Sequence, residues 1–122
     1  MTGFMIILIS LNENFNSIGA LMNHIFEANK QVALKLVEKI NESQNISTED
    51  RKTCLALIKT LVDEGEHFPL DKVGRWIGFI QGVLYSCYSL DIDKERQETR
   101  PIFQEAYKKA GYDNIKSYDV RS

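Results

Sequence analysis

The sequence predicts an all-α protein folded as a compact bundle of about four helices. Several long segments repeat apolar residues at intervals of three and four, the spacing of one helix face. Alternation with a period of two, the pattern of a strand, occurs at most in the first ten residues, where a lone strand would lack a partner. Only two prolines and seven glycines occur in 122 residues, so little of the chain is loop. A chain of this length buries one core without metals or disulfides, and we expect a single helical domain over residues 1–122.

The first helix is expected over residues 16 to about 41. Its apolar stripe consists of Ile18, Leu21, Met22, Ile25, Val32, Leu36 and Ile40. Asn29 interrupts this stripe. A polar side chain there either fixes the register or the oligomeric state, or lies at the edge of the stripe and reaches water, and we favour the edge position.

A linker rich in Asn and Ser follows, and the second helix is expected to begin at Ser47. This serine is a good N-cap because Asp50 follows three residues later and places an acid in the first turn. The buried stripe of the helix consists of Cys54, Leu57, Ile58, Leu61 and Val62. Gly65 is a typical residue just past a helix end, so we expect the helix to stop there.

Two prolines mark the second half of the chain. Pro69 is suited to the first turn of a third helix, which runs to about Ser89. A fourth helix begins after Asp91 or Asp93 and has to cross Pro101. Because proline removes a backbone hydrogen bond and clashes with the preceding turn, we expect a kink or a restart near residues 99–100.

The two ends of the chain differ in character. Residues 4–11 (FMIILISL) span about 12 Å as a helix, too short for a bilayer, and have no basic segment before them as in a signal peptide. We interpret residues 1–15 as a helix extension or an interface segment, because so many apolar residues need burial, and this favours a homo-oligomer. Gly111 closes the last helix, and the polar residues 112–122 are expected to fray.

Charge and cysteine content exclude some classes of function. Fifteen basic against seventeen acidic residues give a net charge of −2, which argues against general nucleic-acid binding. Cys54 and Cys87 have no metal-binding spacing, and we expect buried free thiols in a reducing cytoplasm. We therefore expect a cytoplasmic protein that does not bind membranes and needs no cofactor.

The third helix carries the most informative pattern. At 100° per residue its apolar side chains form one arc, consisting of Val73, Trp76, Ile77, Ile80, Leu84 and Cys87. A second arc is small and polar, consisting of Gly74, Gly78, Gln81, Gly82, Tyr85 and Ser89. Each glycine weakens a helix by about 0.8–1 kcal/mol relative to alanine, so we expect a close approach at this face. The approaching group is another helix of the monomer, a second subunit or a ligand, and Gly78→Leu is expected to cost about 1–3 kcal/mol.

Four basic residues could meet beside this face. Arg96 and Arg100 lie one turn apart on the fourth helix, and Lys72 and Arg75 begin the third. Together they would form a local positive pocket for phosphate or carboxylate groups. The alternative for the two arginines is a surface face of ion pairs with neighbouring glutamates.

The enzymatic alternatives rest on incomplete motifs. Asp63 with Glu66, and Glu95 with Glu98, have the separation at which all-α nucleoside triphosphate pyrophosphohydrolases hold magnesium. The second pair lies in a segment that has the composition of a solvated face. His67 follows Glu64 at the spacing of half a di-iron site, but no second half occurs. We assign no catalytic or metal-binding residue.

The segments GRWIGFIQGVL (residues 74–84) and ERQETRPIFQEAY (residues 95–107) resemble a pattern in small accessory proteins of tailed bacteriophages. The resemblance covers the last third to half of the chain. It implies a protein that interferes with a host process, host defence above all, by sequestering a nucleotide signal or inhibiting a host protein. The residues suited to bind a nucleotide are Lys72, Arg75, Trp76, Gln81, Tyr85, Arg96, Arg100 and Tyr107. The remaining alternative is a purely structural protein that assembles with itself.

Overall fold

The computed structural model describes the backbone of residues 2–112 and the side chains of residues 18–112. Four α-helices follow one another along the chain: α1 (Thr2–Glu42), α2 (Thr48–Glu64), α3 (Leu70–Tyr88) and α4 (Ile92–Lys109). A short 3₁₀ turn, Gly65–His67, follows α2. The described residues contain no strand, and the helices pack as a four-helix bundle, so the predicted fold class is confirmed.

The bundle is built around α1, which packs against each of the other three helices. On α1 the buried side chains run from Ala28 to Ile40, and α2, α3 and α4 add the rest of the core. The largest fully buried side chains are Leu36, Ile40, Leu61, Ile80, Leu84, Val32, Val73 and Cys54. Apolar positions spaced by three and four on each helix therefore meet in one core, as the sequence predicts.

The turn between α1 and α2 is held by the side chains of Ser47 and Arg51. Ser47 caps α2, and its hydroxyl accepts a hydrogen bond from the Asp50 N–H at 3.1 Å, as expected. The Arg51 guanidinium donates to the carbonyls of Ile40 and Ser43, both at 2.7 Å, and so satisfies free groups at the end of α1. This capping arginine is not evident from the sequence, because its partners lie eight and eleven residues earlier.

α2 ends at Glu64, as predicted, but Gly65 does not adopt the left-handed conformation of a helix-ending glycine. Its φ is −63°, and the chain continues into the 3₁₀ turn. The reason for glycine is packing. A Cβ at this position would lie 3.2 Å from the ring of Phe26 on α1. The close helix approach in this bundle is therefore at Gly65.

The boundaries of α3 and α4 are close to those expected. The carbonyl of Pro69 accepts hydrogen bonds from the first turn of α3, and Ser89 ends the helix with a left-handed φ of 57°. The Asp91 carboxylate caps α4. α4 then continues through Pro101 as one helix, so a restart does not occur there. A bend at this turn remains a prediction, since proline cannot donate the helical hydrogen bond.

Three expectations about burial are wrong. Asn29 is buried, 6% exposed, because its side-chain amide donates to the Ile25 carbonyl one turn earlier at 3.0 Å. Cys87, expected in the core, is exposed, because the core face of α3 ends at Leu84. Ile18 and Met22, at the start of the predicted stripe of α1, are 49% and 48% exposed because the bundle does not cover them.

α1 begins at Thr2 instead of near residue 16, so the apolar residues 4–11 continue the first helix. At 1.5 Å per residue its 41 residues span about 62 Å. No helix in the described part of the chain is long and apolar enough to cross a membrane. Gly111 follows α4 with a φ of 89°, and residues 113–122 of the predicted tail lie outside the described residues.

Candidate functional site

A groove of about 370 Å³ runs between α3 and α4. It exists because these two helices pack on α1 and not closely on each other. Its walls consist of Gly78, Gln81, Gly82, Tyr85 and Ser86 from α3, and of Ile92, Glu95, Arg96 and Thr99 from α4. The groove thus unites most of the small polar arc of α3 with one of the two arginines predicted on α4.

The glycines form an open part of this surface. Gly74, Gly78 and Gly82 are exposed, and a Cβ built on any of them meets no atom of the described residues within 4 Å. Packing against another helix of the same chain, one of the three expected explanations, is therefore wrong for the described residues. The glycines leave the backbone of α3 accessible along one side of the groove.

The polar groups of the groove come from both helices. Gln81, Tyr85 and Thr99 are half-buried, so they are held by the fold while part of each remains accessible. The Arg96 side chain is 41% exposed, and its ion pair with Asp93 on the same helix is long, at 3.8 Å. Exposed pairs of this kind contribute about 0–1 kcal/mol, so Arg96 can exchange this partner for an anion.

Beneath the groove lies a buried network around the Glu95 carboxylate, which is only 3% exposed. Lys39 of α1 donates to Glu95 at 3.0 Å and also contacts Glu98 at 2.8 Å. The Tyr85 hydroxyl donates to the other carboxylate oxygen of Glu95. The network links α1, α3 and α4 and pairs the one carboxylate that lines the groove with an ammonium and a hydroxyl.

The network shifts the pKa of three of its members. Burial, followed by the hydrogen bond to Glu95, raises the pKa of the Tyr85 hydroxyl well above its ordinary value. Burial lowers the pKa of Lys39, but its hydrogen bonds to Glu98 and Glu95 outweigh this, and the net pKa is raised. The hydrogen bond from Lys39 lowers the pKa of Glu98. The hydroxyl and the ammonium therefore both keep their protons, which suits a structural support and not a proton-transfer group.

A second, larger recess of about 670 Å³ lies at the end of the bundle, where α1 and α3 end and α4 begins. Its charged lining comprises the lysines Lys35, Lys39 and Lys94 and the acids Glu38, Glu42, Asp91 and Glu98. Tyr85 and Tyr88 add aromatic surface. The Tyr88 hydroxyl donates to Asp50 and accepts from the Ser47 N–H at 3.2 Å, so it holds the α1–α2 turn against α3.

The remaining predicted binding residues lie outside the lining of the groove. The Lys72 ammonium lies over the rings of Phe68 and Trp76, 4.1 Å and 5.2 Å from their centroids. Arg75 pairs with Asp71 on the exposed side of α3 at 3.6 Å. Of the four basic residues that were expected to form one pocket, only Arg96 lines this groove. Arg100 and Tyr107 are half-buried farther along α4.

The carboxylate pairs considered for magnesium binding are used differently. Glu95 and Glu98 share the Lys39 ammonium, which takes the place between them that a metal ion would need. The prediction that Glu95 lies on a solvated face is wrong, since it is buried. Asp63 is paired with Lys59 at 2.6 Å. Within residues 18–112 no three His, Cys, Asp or Glu side chains are grouped to hold a metal ion.

Sequence reasoning missed Lys39, which the helix pattern assigns to the charged outer side of α1. Lys39 and Glu95 are 56 residues apart, so no local spacing relates them. The relation depends on which face of α4 packs on α1, and that is a property of the fold.

Comparison with protein-family models, with curated proteins and with solved structures gives no match.

Proposed function

We propose that the protein is a non-enzymatic binding protein that holds a small anionic ligand of the nucleotide class in the groove between α3 and α4. The observation that carries the proposal is the combination, in one groove, of open glycine backbone, accessible polar side chains and an exposed arginine. A volume of about 370 Å³ is at the small end of ligand sites and suits a ligand of mononucleotide size.

Each part of the groove supports a different part of such a ligand. A flat base needs a surface without projecting side chains, which Gly78 and Gly82 leave open. Gln81 and Thr99 offer a donor and acceptor each for the base edge or the sugar. The Arg96 guanidinium is the natural partner of a phosphate, because it forms two parallel charge-assisted hydrogen bonds.

Charge favours this groove over the larger recess at the end of the bundle. That recess is lined by three lysines and four carboxylates, and Lys39 is already shared by Glu95 and Glu98. An anion there would meet a slight excess of negative charge. In the groove, the only lining carboxylate is buried and is paired with Lys39 and Tyr85, while Arg96 is accessible.

The biological role that we propose is sequestration of a nucleotide signal. The resemblance to phage accessory proteins supports this role through its context, interference with host defence. The groove supports it through residue type, since it offers an accessible arginine and amide and hydroxyl groups that bind a nucleotide.

The first test is binding. The full chain is titrated calorimetrically with a panel of mononucleotides and cyclic dinucleotides, and at least one is expected to bind. Arg96→Ala should weaken that binding by about 10- to 100-fold, the loss of one charge-assisted contact of about 1.5–3 kcal/mol. Arg75→Ala is the matched control, because Arg75 is an exposed arginine of α3 outside the groove; it should leave affinity unchanged.

A second pair of variants tests the location. Gly78→Leu fills the groove and should abolish binding, while the fold tolerates it because a Cβ there meets no described atom within 4 Å and the side chain extends into the groove. Gly74→Leu places the same side chain on the same helix outside the groove lining and should bind normally. Equal losses in both pairs, or no binding by any member of the panel, would contradict the proposal.

A further inference from the structure

About half of α1 extends beyond the bundle. α2, α3 and α4 have 17 to 19 residues each, or about 26–29 Å, against about 62 Å for α1. The described contacts that position them on α1 include Phe26, which packs at Gly65, and Ile40, whose carbonyl binds Arg51. Helices of this length cannot cover the first twenty residues of α1 as well.

The projecting half carries an apolar seam that continues the core face of the bundle. Residues spaced alternately by four and three occupy the a and d positions of a heptad: Phe4, Leu8, Leu11, Phe15, Ile18 and Met22. The same register continues through Asn29, Val32 and Leu36, which are buried in the bundle at 6%, 1% and 0% exposure. Ile18 and Met22, which precede the first buried residue in the described part of α1, are about half exposed. Among the described seam side chains, those from Asn29 onward are therefore covered by the chain itself, whereas Ile18 and Met22 are not.

We propose that the partner is the same segment of a second copy, packed antiparallel as a two-stranded coiled coil over residues 4–22. The direction follows from the bundle. From Asn29 onward, the seam faces the chain's own helices, so they stand on the side where a parallel partner helix would continue. Two parallel copies would bring their bundles into collision, whereas antiparallel copies place them at opposite ends.

The register of the seam fits an antiparallel pair with twofold symmetry. If the twofold axis passes beside residue 13, the seam residues pair as Phe4 with Met22, Leu8 with Ile18 and Leu11 with Phe15. Every layer then joins an a position with a d position, as antiparallel coiled coils require, and both copies use the same surface.

Charge also fits a second copy. Residues 2–26 contain no Asp, Lys or Arg and one Glu, Glu13, which occupies the f position opposite the seam. The positions flanking the seam near the centre are the uncharged Asn12 and Asn14, so two identical helices meet without like-charge repulsion.

The area is sufficient for a specific dimer. Complete burial of an apolar side chain removes about 100 Å² from water, so the twelve seam side chains of two copies bury about 1,200 Å². This is at the lower end of stable protein interfaces.

The first experiment is sedimentation equilibrium of the full chain at about 10 μM, where a dimer of twice 14.0 kDa is expected. Leu11→Glu places a charge in the central layer and should raise the dimer dissociation constant at least about 100-fold. Ala20→Glu adds the same charge at an f position and should leave the dimer intact. Circular dichroism of both variants checks that the bundle remains folded.

Disulfide trapping tests the direction, in a Cys87→Ser background because Cys87 is the exposed thiol. An oxidised mixture of Leu8→Cys and Ile18→Cys chains should give the cross-linked heterodimer, and Leu8→Cys alone should not cross-link. Cross-linking of Leu8→Cys alone would show a parallel pair and overturn the proposal.

A lipid surface is the other occupant that an apolar helix face can have. Flotation with vesicles of phosphatidylcholine and phosphatidylglycerol separates the two cases. A protein that is monomeric at 10 μM overturns the dimer, whether or not it floats with the vesicles. A dimer that is insensitive to Leu11→Glu overturns the assignment to this seam.

Discussion

Glu95 is the residue whose surroundings decide what the groove can do. A buried carboxylate is tolerated only when it is neutralised, and here Lys39 and Tyr85 share its two oxygens. The same contacts occupy both oxygens of Glu95 and place the Lys39 ammonium beside its charge. A single buried network therefore both joins three helices and leaves Arg96 as the exposed charge of the groove.

The raised pKa of Tyr85 makes its contribution to stability depend on pH. The folded state holds the hydroxyl proton above the ordinary value of 10.0, while the unfolded chain loses it there. The contribution is therefore complete below pH 10 and declines as the pH rises. Lys39, whose pKa is raised from 10.5, adds a decline of the same sign. The lowered pKa of Glu98 acts oppositely, and its contribution is lost only in acid.

Tyr85→Phe tests this reasoning. At pH 7 the variant should be less stable by about 1.5 kcal/mol, because a hydrogen bond to a buried carboxylate is lost. Between pH 10 and pH 11 the difference from the wild type should narrow by about 1 kcal/mol, since phenylalanine has no proton to lose. Urea unfolding at pH 7, 9, 10 and 11 measures it, and the constant difference expected from pH 7 to 9 is the internal control. A stability difference between the two proteins that stays constant to pH 11 would contradict the raised pKa of Tyr85.

At the scale of the elements, α3 divides its two faces between the fold and the groove. The core arc was predictable from the sequence for Val73, Ile77, Ile80 and Leu84, which are all buried. The positions of these four side chains follow from the helical period alone. That the glycine arc lies open beside a groove was not predictable, because the helical period does not show which element, if any, packs against a given helix face.

Gly65 and Gly78 show the difference between a packed and an open glycine. Gly78→Leu should keep or raise the stability, because no described atom lies within 4 Å of the new Cβ and leucine regains most of the about 0.8–1 kcal/mol by which glycine is a poorer helix former than alanine. Gly65→Leu should cost about 1–3 kcal/mol, because its Cβ already meets the Phe26 ring at 3.2 Å. Chemical denaturation of the two variants gives the comparison. A stability loss at Gly78 would indicate a partner on the glycine face.

For the whole molecule, helix number, order and most boundaries followed from apolar spacing, caps and prolines. The extent of α1 did not, because the apolar residues 4–11 suit a helix, an interface or a buried segment equally well. The groove was half predicted: Gln81, Tyr85 and Arg96 line it, while Lys72 and Arg75 do not. Local spacing places residues on a helix face, but the long-range pairing of Lys39 with Glu95 decides how the faces meet.

Deletion of residues 1–17 separates the bundle from the projecting half of α1. The core on α1 begins at Ala28, and residues 18–27 include no fully buried side chain, so the shortened chain should unfold cooperatively with stability close to that of the full chain. It should sediment as a monomer, because the deletion removes four of the six seam positions. Its groove is formed only by α3 and α4, so any nucleotide that binds the full chain should bind with the same affinity. Circular dichroism during urea titration, sedimentation equilibrium and calorimetry measure the three outcomes.

Loss of cooperative unfolding would show that residues 1–17 belong to the bundle, and a persistent dimer would place the interface elsewhere. A change in ligand affinity alone would show that the groove requires the second copy.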